Sequence, residues 1–384
     1  MKNTKRKKSI KKGMVLLLSA VMIIATLGGC KTNKETTKEA VKETTHKVTD
    51  HAGKEVLVPN EINRIVILDI TPLPSVYCMM VGDAKKIVGM TPASKNVAMH
   101  SLLQTIAPEL STVETDFAAG ETINSEELLA LNPDIIFYRM ETQADVDVIS
   151  KLPIPAVAFS TSVFEGNTID TLNGWVQLLA DVFQDKNINE RADKIIQDGK
   201  ETEKMIKDRV AAMPEKDRTK SLVIHNYDES GIKAGGTTFA RYYLETVGAM
   251  NVGSSIKGLF EPVNLEQIYE WNPDVIFLNS FSKFSPEDFY NNKAMEGDDW
   301  SGVSAVKNQR VYKYPIGMYY WFPPSSDAPL SLQWTAKSLY PELFEDIDMQ
   351  EVTKKYYKEF YGIDLTKEQL EGIFNPPKEA AFTP

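Results

Sequence analysis

The chain has 384 residues, of which 42% are hydrophobic and 25% charged, and a formal net charge of −10. This composition is typical of a globular protein, and the length suits two domains of ordinary size rather than a disordered or fibrous chain. The acidic balance argues against nucleic acid as a partner, because a surface of this sign repels phosphates.

The first residues form a targeting segment. Seven basic residues lie between positions 2 and 12, and an apolar run from Met14 to Leu27 follows, too short for a comfortable membrane span. The run ends in Gly28-Gly29-Cys30, which resembles the lipobox of bacterial lipoproteins. We therefore predict a signal peptide over residues 1–29 and an extracytoplasmic protein anchored to the cell membrane through lipidated Cys30. The alternative is an ordinary signal peptide with a chance cysteine.

Without the leader, the chain is more acidic still. Seven of the 43 cations belong to the leader, so the remainder carries 36 cations against 53 acids, a net charge of −17.

The N-terminal half of the chain alternates strand and helix patterns. Residues 30–46 are rich in Lys, Thr and Glu and predict a disordered tether. From residue 47 to 185 we predict a small hairpin, then alternating strands and helices, with a surface loop after residue 89. That alternation predicts an α/β lobe with a parallel sheet.

One stretch occurs twice in the chain, at residues 124–137 and 264–277. Each copy begins with Asn, continues with apolar residues at helical spacing, reaches Asn-Pro-Asp and ends in an apolar, β-rich run. Asn suits an N-cap, proline stops the helix, and the last run is typical of a strand buried on both faces. One such unit in each half predicts two similar α/β lobes.

Between the copies lies a stretch without strand signals. Residues 168–183 and 190–213 have helical patterns, and the second, highly charged run predicts a linking helix within residues 186–215. A charged surface helix is the alternative. The C-terminal lobe is predicted over 216–377, with a first strand at 221–225, a Gly/Thr-rich turn at 235–240, a loop dense in aromatic residues at 314–326 and three final helices. Residues 378–384 form a tail.

These features together resemble the class III solute-binding proteins of ABC importers for ferric siderophores, haem and cobalamin. The resemblance rests on Val48-Thr-Asp-His-Ala-Gly-Lys-Glu-Val, Arg64-Ile-Val, both copies of the repeat, the Gly235-Gly-Thr-Thr-Phe run, Gly248-Ala-Met-Asn and Phe360-Tyr-Gly-Ile-Asp. It implies two Rossmann-like lobes joined by one long helix, a ligand cleft between them, and an ABC permease dimer with its ATPase as partner.

In this family a glutamate on each lobe docks to arginines of the permease. Position within the repeat assigns that role to Glu126 and Glu266, with Glu127 as the neighbouring candidate. The alternative is that these acids only favour the dipole of their helix.

Ligand-binding residues in such a fold are expected in the loops that follow the carboxyl ends of the strands. His225 suits ligation of a metal in haem or a chelate, opposite Met140 or Met90, or else serves only as a hydrogen-bonding group. Arg139 suits an anionic chelate or a structural ion pair. The aromatic loop packs against the other lobe or on a planar macrocycle. The ligand-binding candidates are Arg139, Met140, His225, Tyr227, Met318, Tyr319, Tyr320 and Trp321.

The predicted function is that of a monomeric receptor that captures an iron complex, haem or a corrinoid and delivers it to the permease, with no intrinsic cofactor. The alternative is a receptor of the same fold for a nickel or cobalt chelate or another metal. A free zinc or manganese site is disfavoured, because the chain has only four histidines. An enzyme is disfavoured by the lack of a Gly-x-Ser-x-Gly elbow, a phosphate loop or an HExxH pair.

Overall fold

The structure, a computed structural model, describes residues 44–120, 122–236, 238–258 and 260–381. The predicted signal peptide, the lipidated Cys30 and most of the predicted tether lie outside these residues. Within the described ranges, no helix is both long enough and apolar enough to cross a bilayer.

The N-terminal lobe is built on a parallel sheet with the strand order β4-β3-β7-β8. The strands of this sheet are buried along most of their length, as the apolar runs predict. Its elements are β1 (Thr45–Thr49), β2 (Glu55–Pro59), β3 (Ile65–Leu68), α1 (Leu73–Val81), β4 (Ile87–Met90), α2 (Pro92–Met99), α3 (Leu103–Ile106), β5 (Ala118–Ala119), β6 (Thr122–Ile123), α4 (Ser125–Ala130), β7 (Ile135–Arg139), α5 (Gln143–Ile149), β8 (Ala156–Phe159) and α6 (Thr168–Phe183).

A single helix, α7 (Lys186–Val210), follows this lobe and packs against α6. Its 25 residues span about 38 Å at about 1.5 Å per residue. Near its start Arg191 donates to the carbonyl of Met79 in α1, and near its end Arg209 forms a bidentate ion pair with Asp346. The helix is therefore attached to both halves of the chain, as a linking helix requires.

The C-terminal lobe has its own sheet, with the order β12-β10-β9-β13-β14 and β11 beside β9. β9, β13 and β14 are parallel, whereas β10 and β12 run antiparallel at one edge. Its elements are β9 (Lys220–Asp228), β10 (Gly231–Ala234), α8 (Thr238–Thr246), β11 (Met250–Asn251), β12 (Glu261–Val263), α9 (Leu265–Trp271), β13 (Val275–Leu278), α10 (Pro286–Tyr290), α11 (Ser304–Lys307), β14 (Val311–Lys313), α12 (Ala328–Leu339), α13 (Met349–Tyr361) and α14 (Lys367–Phe374).

The two copies of the repeat fold alike, one in each sheet. Asn124 and Asn264 cap α4 and α9 by accepting backbone N–H groups of the first turn. After each helix Asn132 and Asn272 adopt left-handed conformations, with φ of 47° and 41°. The chain then enters β7 or β13. The two Asn-Pro-Asp segments thus lie in separate sheets, which confirms the predicted two-lobed α/β fold.

The aspartate of each Asn-Pro-Asp segment ties its lobe together. The Oδ2 atom of Asp134 accepts from the backbone N–H groups of Asn63 and Arg64 at 2.7 and 2.9 Å, just before β3. The Oδ2 atom of Asp274 accepts from the N–H group of Lys220 at 3.2 Å, at the start of β9. The repeat therefore orients not only its own strand but also the neighbouring one.

Three local predictions were wrong. Residues after β4 form the helix α2 instead of a loop, because Thr91 caps it and Pro92 suits its first turn. Residues 45 and 46 belong to β1 rather than to the tether, since the ring of His46 bonds to Asn60 and to the carbonyl of Asp181. The strand at 221–225 is longer than predicted and turns back as β10.

Candidate functional site

The candidate site is the space between the lobes, where segments that follow the carboxyl ends of strands meet. The hydroxyl groups of Thr71, after β3, and Tyr319, after β14, are 2.7 Å apart. The backbone N–H of Leu102 donates to the carbonyl of Gly317 at 2.8 Å. The loop that follows β14 therefore touches the N-terminal lobe at two places.

The N-terminal wall of this space contains Arg139, the last residue of β7, and Glu141, just after it. One carboxylate oxygen of Glu141 accepts from the hydroxyl groups of Ser160 and Ser162 at 2.6 and 2.7 Å and from the backbone N–H groups of Thr161 and Ser162. Burial alone would raise the pKa of Glu141, but these hydrogen bonds outweigh it and lower the pKa. The other oxygen lies 3.5 Å from Nε of Arg139. Arg139 thus forms the ion pair that was one of its two predicted roles.

A second carboxyl group in the same wall is short of partners. Asp145, in the first turn of α5, is 1% exposed, and its Oδ2 atom has no hydrogen-bond partner within the described ranges. Burial, together with the charge of Asp69, raises the pKa of Asp145 to about 7, although Arg139 opposes the shift. With Glu141 and Asp69, this wall is acidic on balance.

The C-terminal lobe contributes His225, in β9, which is 3% exposed. Its ring lies edge-on to Phe322 and Phe260, with centroids 4.9 and 5.7 Å away. Burial lowers the pKa of His225 to about 3, although a hydrogen bond to the backbone of Gly235 acts in the opposite direction. The imidazole is therefore neutral near pH 7, and Nε2 has no hydrogen-bond partner in the part of the chain that the structure describes.

Two other ligand-binding candidates lie within the separate lobes. The hydroxyl of Tyr227 donates to Asp298 and accepts from Nε1 of Trp300, and the ring is buried in the C-terminal core. Met140 packs against the core of the N-terminal lobe. In this conformation the structure does not bring Met140 and Tyr227 together with His225 into one cluster, and their roles toward a ligand stay predictions.

The aromatic loop is buried rather than presented to solvent. Of the two predicted environments, the structure shows packing against the other lobe: Tyr319 and Tyr320 form a small cluster with Val97 of α2, and Met318 and Trp321 join the main core. Each of these four predicted ligand-binding residues is at most 3% exposed. Contact with a ligand remains a prediction for all of them.

A buried carboxyl group fixes the position of the aromatic loop through a hydrogen bond to its backbone. Asp327, at the start of α12, accepts from the backbone N–H of Tyr319 at 2.9 Å. Burial raises the pKa of Asp327 to about 7, although hydrogen bonds, first among them that of Tyr319, oppose the shift. In the same loop the backbone N–H of Met318 donates to the hydroxyl of Tyr357 at 3.2 Å.

The lobes also meet at a pair of backbone turns. Gly166, in the loop between β8 and α6, has a φ of 83°, and a Cβ atom at this position would lie 2.5 Å from backbone atoms of Thr238. Beside them a guanidinium N–H of Arg241 donates to the carbonyl of Glu165 at 3.4 Å. Only a glycine permits so close an approach of the two lobes.

The predicted docking residues are on the surface. Glu126 and Glu266 are exposed, each in the first turn of its short helix, and the neighbouring Glu127 is exposed as well. The structure confirms the exposure that docking requires, while docking itself stays a prediction.

Several residues of the site were absent from the predicted set. Glu141 and the Ser-Thr-Ser run at 160–162 follow β7 and β8, so their position after strands was a usable signal. Asp145 and Asp327 carried no such signal, because their burial depends on segments distant in the chain. Among the described residues, the candidate site included, no three His, Cys, Asp or Glu side chains are grouped so as to hold a metal ion.

Comparison with known proteins gives consistent matches. The family model described as "Periplasmic binding protein" matches residues 65–316. A periplasmic solute-binding protein from Veillonella parvula is 31% identical, with a TM-score of 0.77 over 86% of this chain and 97% of the other.

Two curated proteins match over most of their length. The molybdate-binding protein MolA of Haemophilus influenzae is 28% identical over 82% of this chain and 90% of its own. Its molybdate-bound structure gives a TM-score of 0.67, at 26% identity over 84% of this chain and 99% of the other. YvrC of Bacillus subtilis, an ABC transporter substrate-binding lipoprotein, is 24% identical over 86% of this chain and 97% of its own.

Proposed function

The chain belongs to the periplasmic binding protein family and is a substrate-binding protein of an ABC transporter, and on that premise we propose that its cargo is a compact metal complex that His225 helps to ligate. The observation that carries the proposal is the state of His225: buried, neutral and hydrogen-bonded to the backbone of Gly235, with Nε2 unpartnered among the described residues. Histidines that bind metals usually give their other ring N–H to a carbonyl in this way.

The surroundings of His225 favour entry from one side. Phe322 is buried, whereas Phe260 is 51% exposed. A metal complex would therefore reach Nε2 on the side of Phe260, by displacing that ring. Neutral imidazole is the form that ligates iron, nickel or cobalt, so the low pKa keeps His225 competent well below pH 7.

The burial of the aromatic loop favours a compact chelate over haem or a corrinoid. A planar macrocycle would need the rings of Tyr319, Tyr320 or Trp321 as a stacking surface, and these rings are packed among core residues. An iron chelate is the first choice from the family resemblance. Nickel and cobalt chelates belong to the same chemical class.

A tetrahedral oxyanion such as molybdate is the second candidate. It is favoured by the similarity to MolA over most of both chains and by the partly exposed guanidinium of Arg139. It is disfavoured by the carboxyl groups of Asp69, Glu141 and Asp145, because an anion near them meets like charges.

We further propose that the protein is a monomer anchored through lipidated Cys30, has no intrinsic cofactor, and returns its cargo unchanged to a permease that Glu126 and Glu266 contact. The similarity to a substrate-binding lipoprotein supports the anchor. The exposure of one glutamate on each lobe supports docking.

Titration of the compact unit, residues 43–384, tests the cargo. A ferric chelate, nickel with histidine, haem, cobalamin and molybdate would each be added while tryptophan fluorescence and the visible spectrum are followed. We expect saturable binding of a chelate and at least about tenfold weaker binding in His225→Ala, as for loss of a metal ligand. His100→Ala, at an exposed histidine, is the matched control.

Other results would redirect or end the proposal. A shifted Soret band that is lost in His225→Ala would make haem the cargo. Binding of molybdate alone, with His225→Ala unchanged, would favour the second candidate. If none of the five probes binds to a protein with an intact thermal transition, the metal-complex proposal fails.

A further inference from the structure

Two exposed apolar side chains occupy the same position in the two copies of the repeat. Leu129 in α4 is 39% exposed and Tyr269 in α9 is 38% exposed. They are 140 residues apart, the same offset that relates Asn124 to Asn264. Exposed apolar residues scattered singly are normal on proteins, but equivalent positions in two lobes are not expected from chance exposure.

Each of these side chains shares a helical face with a predicted docking glutamate. Glu126 and Leu129 are three residues apart, as are Glu266 and Tyr269, so each pair projects from one side of its helix. The opposite sides are anchored in the lobes, because Leu128 is fully buried in α4 and Ile268 in α9. Each lobe thus presents a carboxylate beside an apolar group, on a helix whose buried leucine or isoleucine prevents rotation about its axis.

The position of Tyr269 is constrained rather than loose. Its hydroxyl donates to the carbonyl of Asp299, and its ring lies so close to Gly302 that a Cβ atom there would be 2.4 Å from Cε1. A ring held in place loses little conformational entropy when a partner covers it, and such aromatic residues often dominate interfaces.

We propose that Leu129 and Tyr269 are the apolar anchors of docking to the permease, one on each lobe. The partner is a pair of equivalent membrane subunits, each with a basic side chain next to an apolar depression. Each lobe presents one glutamate with one apolar side chain. Two equivalent membrane subunits can therefore each bind one lobe through the same surface. The inference rests on the proposed docking of Glu126 and Glu266 and adds the residues that supply buried contact area.

Photocrosslinking locates the partner. A photoreactive phenylalanine analogue is placed at 129, 269, 343 or 250 of the full chain in cells that contain its own transporter. Leu343 and Met250 are each 39% exposed and serve as controls matched for exposure. We expect crosslinks to the polytopic permease subunits, identified by mass spectrometry, from positions 129 and 269 but not from the controls.

Binding to the identified permease in nanodiscs, without added cargo, measures the contribution of each anchor. Leu129→Ser and Tyr269→Ser should each weaken binding about five- to tenfold, whereas Leu343→Ser and Met250→Ser should not. Tyr269→Phe keeps the ring and should retain binding. Thermal transitions of all variants are recorded so that misfolding is recognised.

The outcomes separate this inference from the proposed function. If Glu126→Ala with Glu266→Ala abolishes permease binding while the serine variants bind normally, the anchors are refuted and glutamate docking stands. If neither set changes binding, docking through α4 and α9 is refuted altogether. Equal crosslinking from all four positions also contradicts the anchors. Cargo affinity should be unchanged throughout, since neither residue lies between the lobes.

Discussion

Asp327 lies at the start of α12, beneath the aromatic loop, with no exposure to solvent. It accepts the backbone N–H of Tyr319, yet its Oδ1 atom has no hydrogen-bond partner among the described residues. Burial therefore raises its pKa to about 7 from 3.8. The residue that positions the loop between the lobes thus changes charge near neutral pH.

We predict that Asp327 makes stability depend on pH. Because the folded-state pKa lies above the unfolded value, the folded protein holds a proton that the unfolded chain has released between pH 3.8 and about 7. The contribution of the Asp327 proton to the free energy of unfolding is complete below pH 3.8. It is lost as the pH rises to about 7, and the loss is at most about 4 kcal/mol. Asp327→Asn keeps an acceptor for Tyr319 and should remove this loss.

Urea unfolding at pH 4.5 and pH 7.5 measures the effect. The stability of Asp327→Asn relative to the natural protein should increase between the two pH values, while Asp116→Asn, at an exposed site, should show no such change. A constant difference for Asp327→Asn would contradict the prediction.

At the scale of elements, the repeat is a unit that ends a helix and aligns two strands. Asparagine in the left-handed conformation stops α4 or α9, and proline prevents its continuation. The aspartate then accepts backbone N–H groups next to β3 or β9. The cap and the stop act within the repeat, whereas the aspartate reaches residues 54 to 71 positions away and aligns the central strands, whose following loops form the site.

We predict that Asp134→Ala lowers the free energy of unfolding by about 1–2 kcal/mol, because it leaves two N–H groups without their acceptor. Asp274→Ala should cost less, about 1 kcal/mol, since it removes one longer hydrogen bond. Asp116→Ala is the control and should stay within about 0.5 kcal/mol. Denaturant titration of the single variants and of the double variant checks this. Equal stability of all variants would contradict it.

At the scale of the whole molecule, the lobes are held together by contacts at separate places. Thr71 meets Tyr319 through their hydroxyl groups, Ser75 meets Ser326 through theirs, and Gly166 lies against Thr238. α7 joins the lobes along one side and packs on α12. The spacing of the lobes is therefore set by close contacts as well as by the linking helix.

We predict that Gly166→Ala moves the lobes apart. Alanine at Gly166 is strained by the positive φ and also clashes with the backbone of Thr238. Gly53→Ala, with a φ of 74° and open space around it, is strained by the positive φ alone. Both variants should lose about 1–2 kcal/mol of stability. Only Gly166→Ala should show a larger radius of gyration by small-angle X-ray scattering and faster hydrogen exchange at residues 160–167. Identical scattering of the two variants would contradict the prediction.

Much of the fold could be predicted from local patterns. The caps at Asn124 and Asn264, the stops at the two prolines and the buried strands follow from interactions that reach only a few residues along the chain. The helix linking the lobes was predicted from its charged, amphipathic pattern and begins a few residues earlier than that pattern indicated. Pro92 misled the prediction, since proline suits the first turn of a helix as well as a loop.

The sequence by itself determined the two lobes, their connection and the exposure of one glutamate on each repeat, because these depend on local hydrogen bonding and on periodic burial. Only the tertiary structure decided which way the aromatic loop faces and which carboxyl groups lose water. Tyr319 is 248 residues from Thr71, its partner across the lobes. Burial and pKa at the site arise from such distant pairs, and no local pattern encodes them.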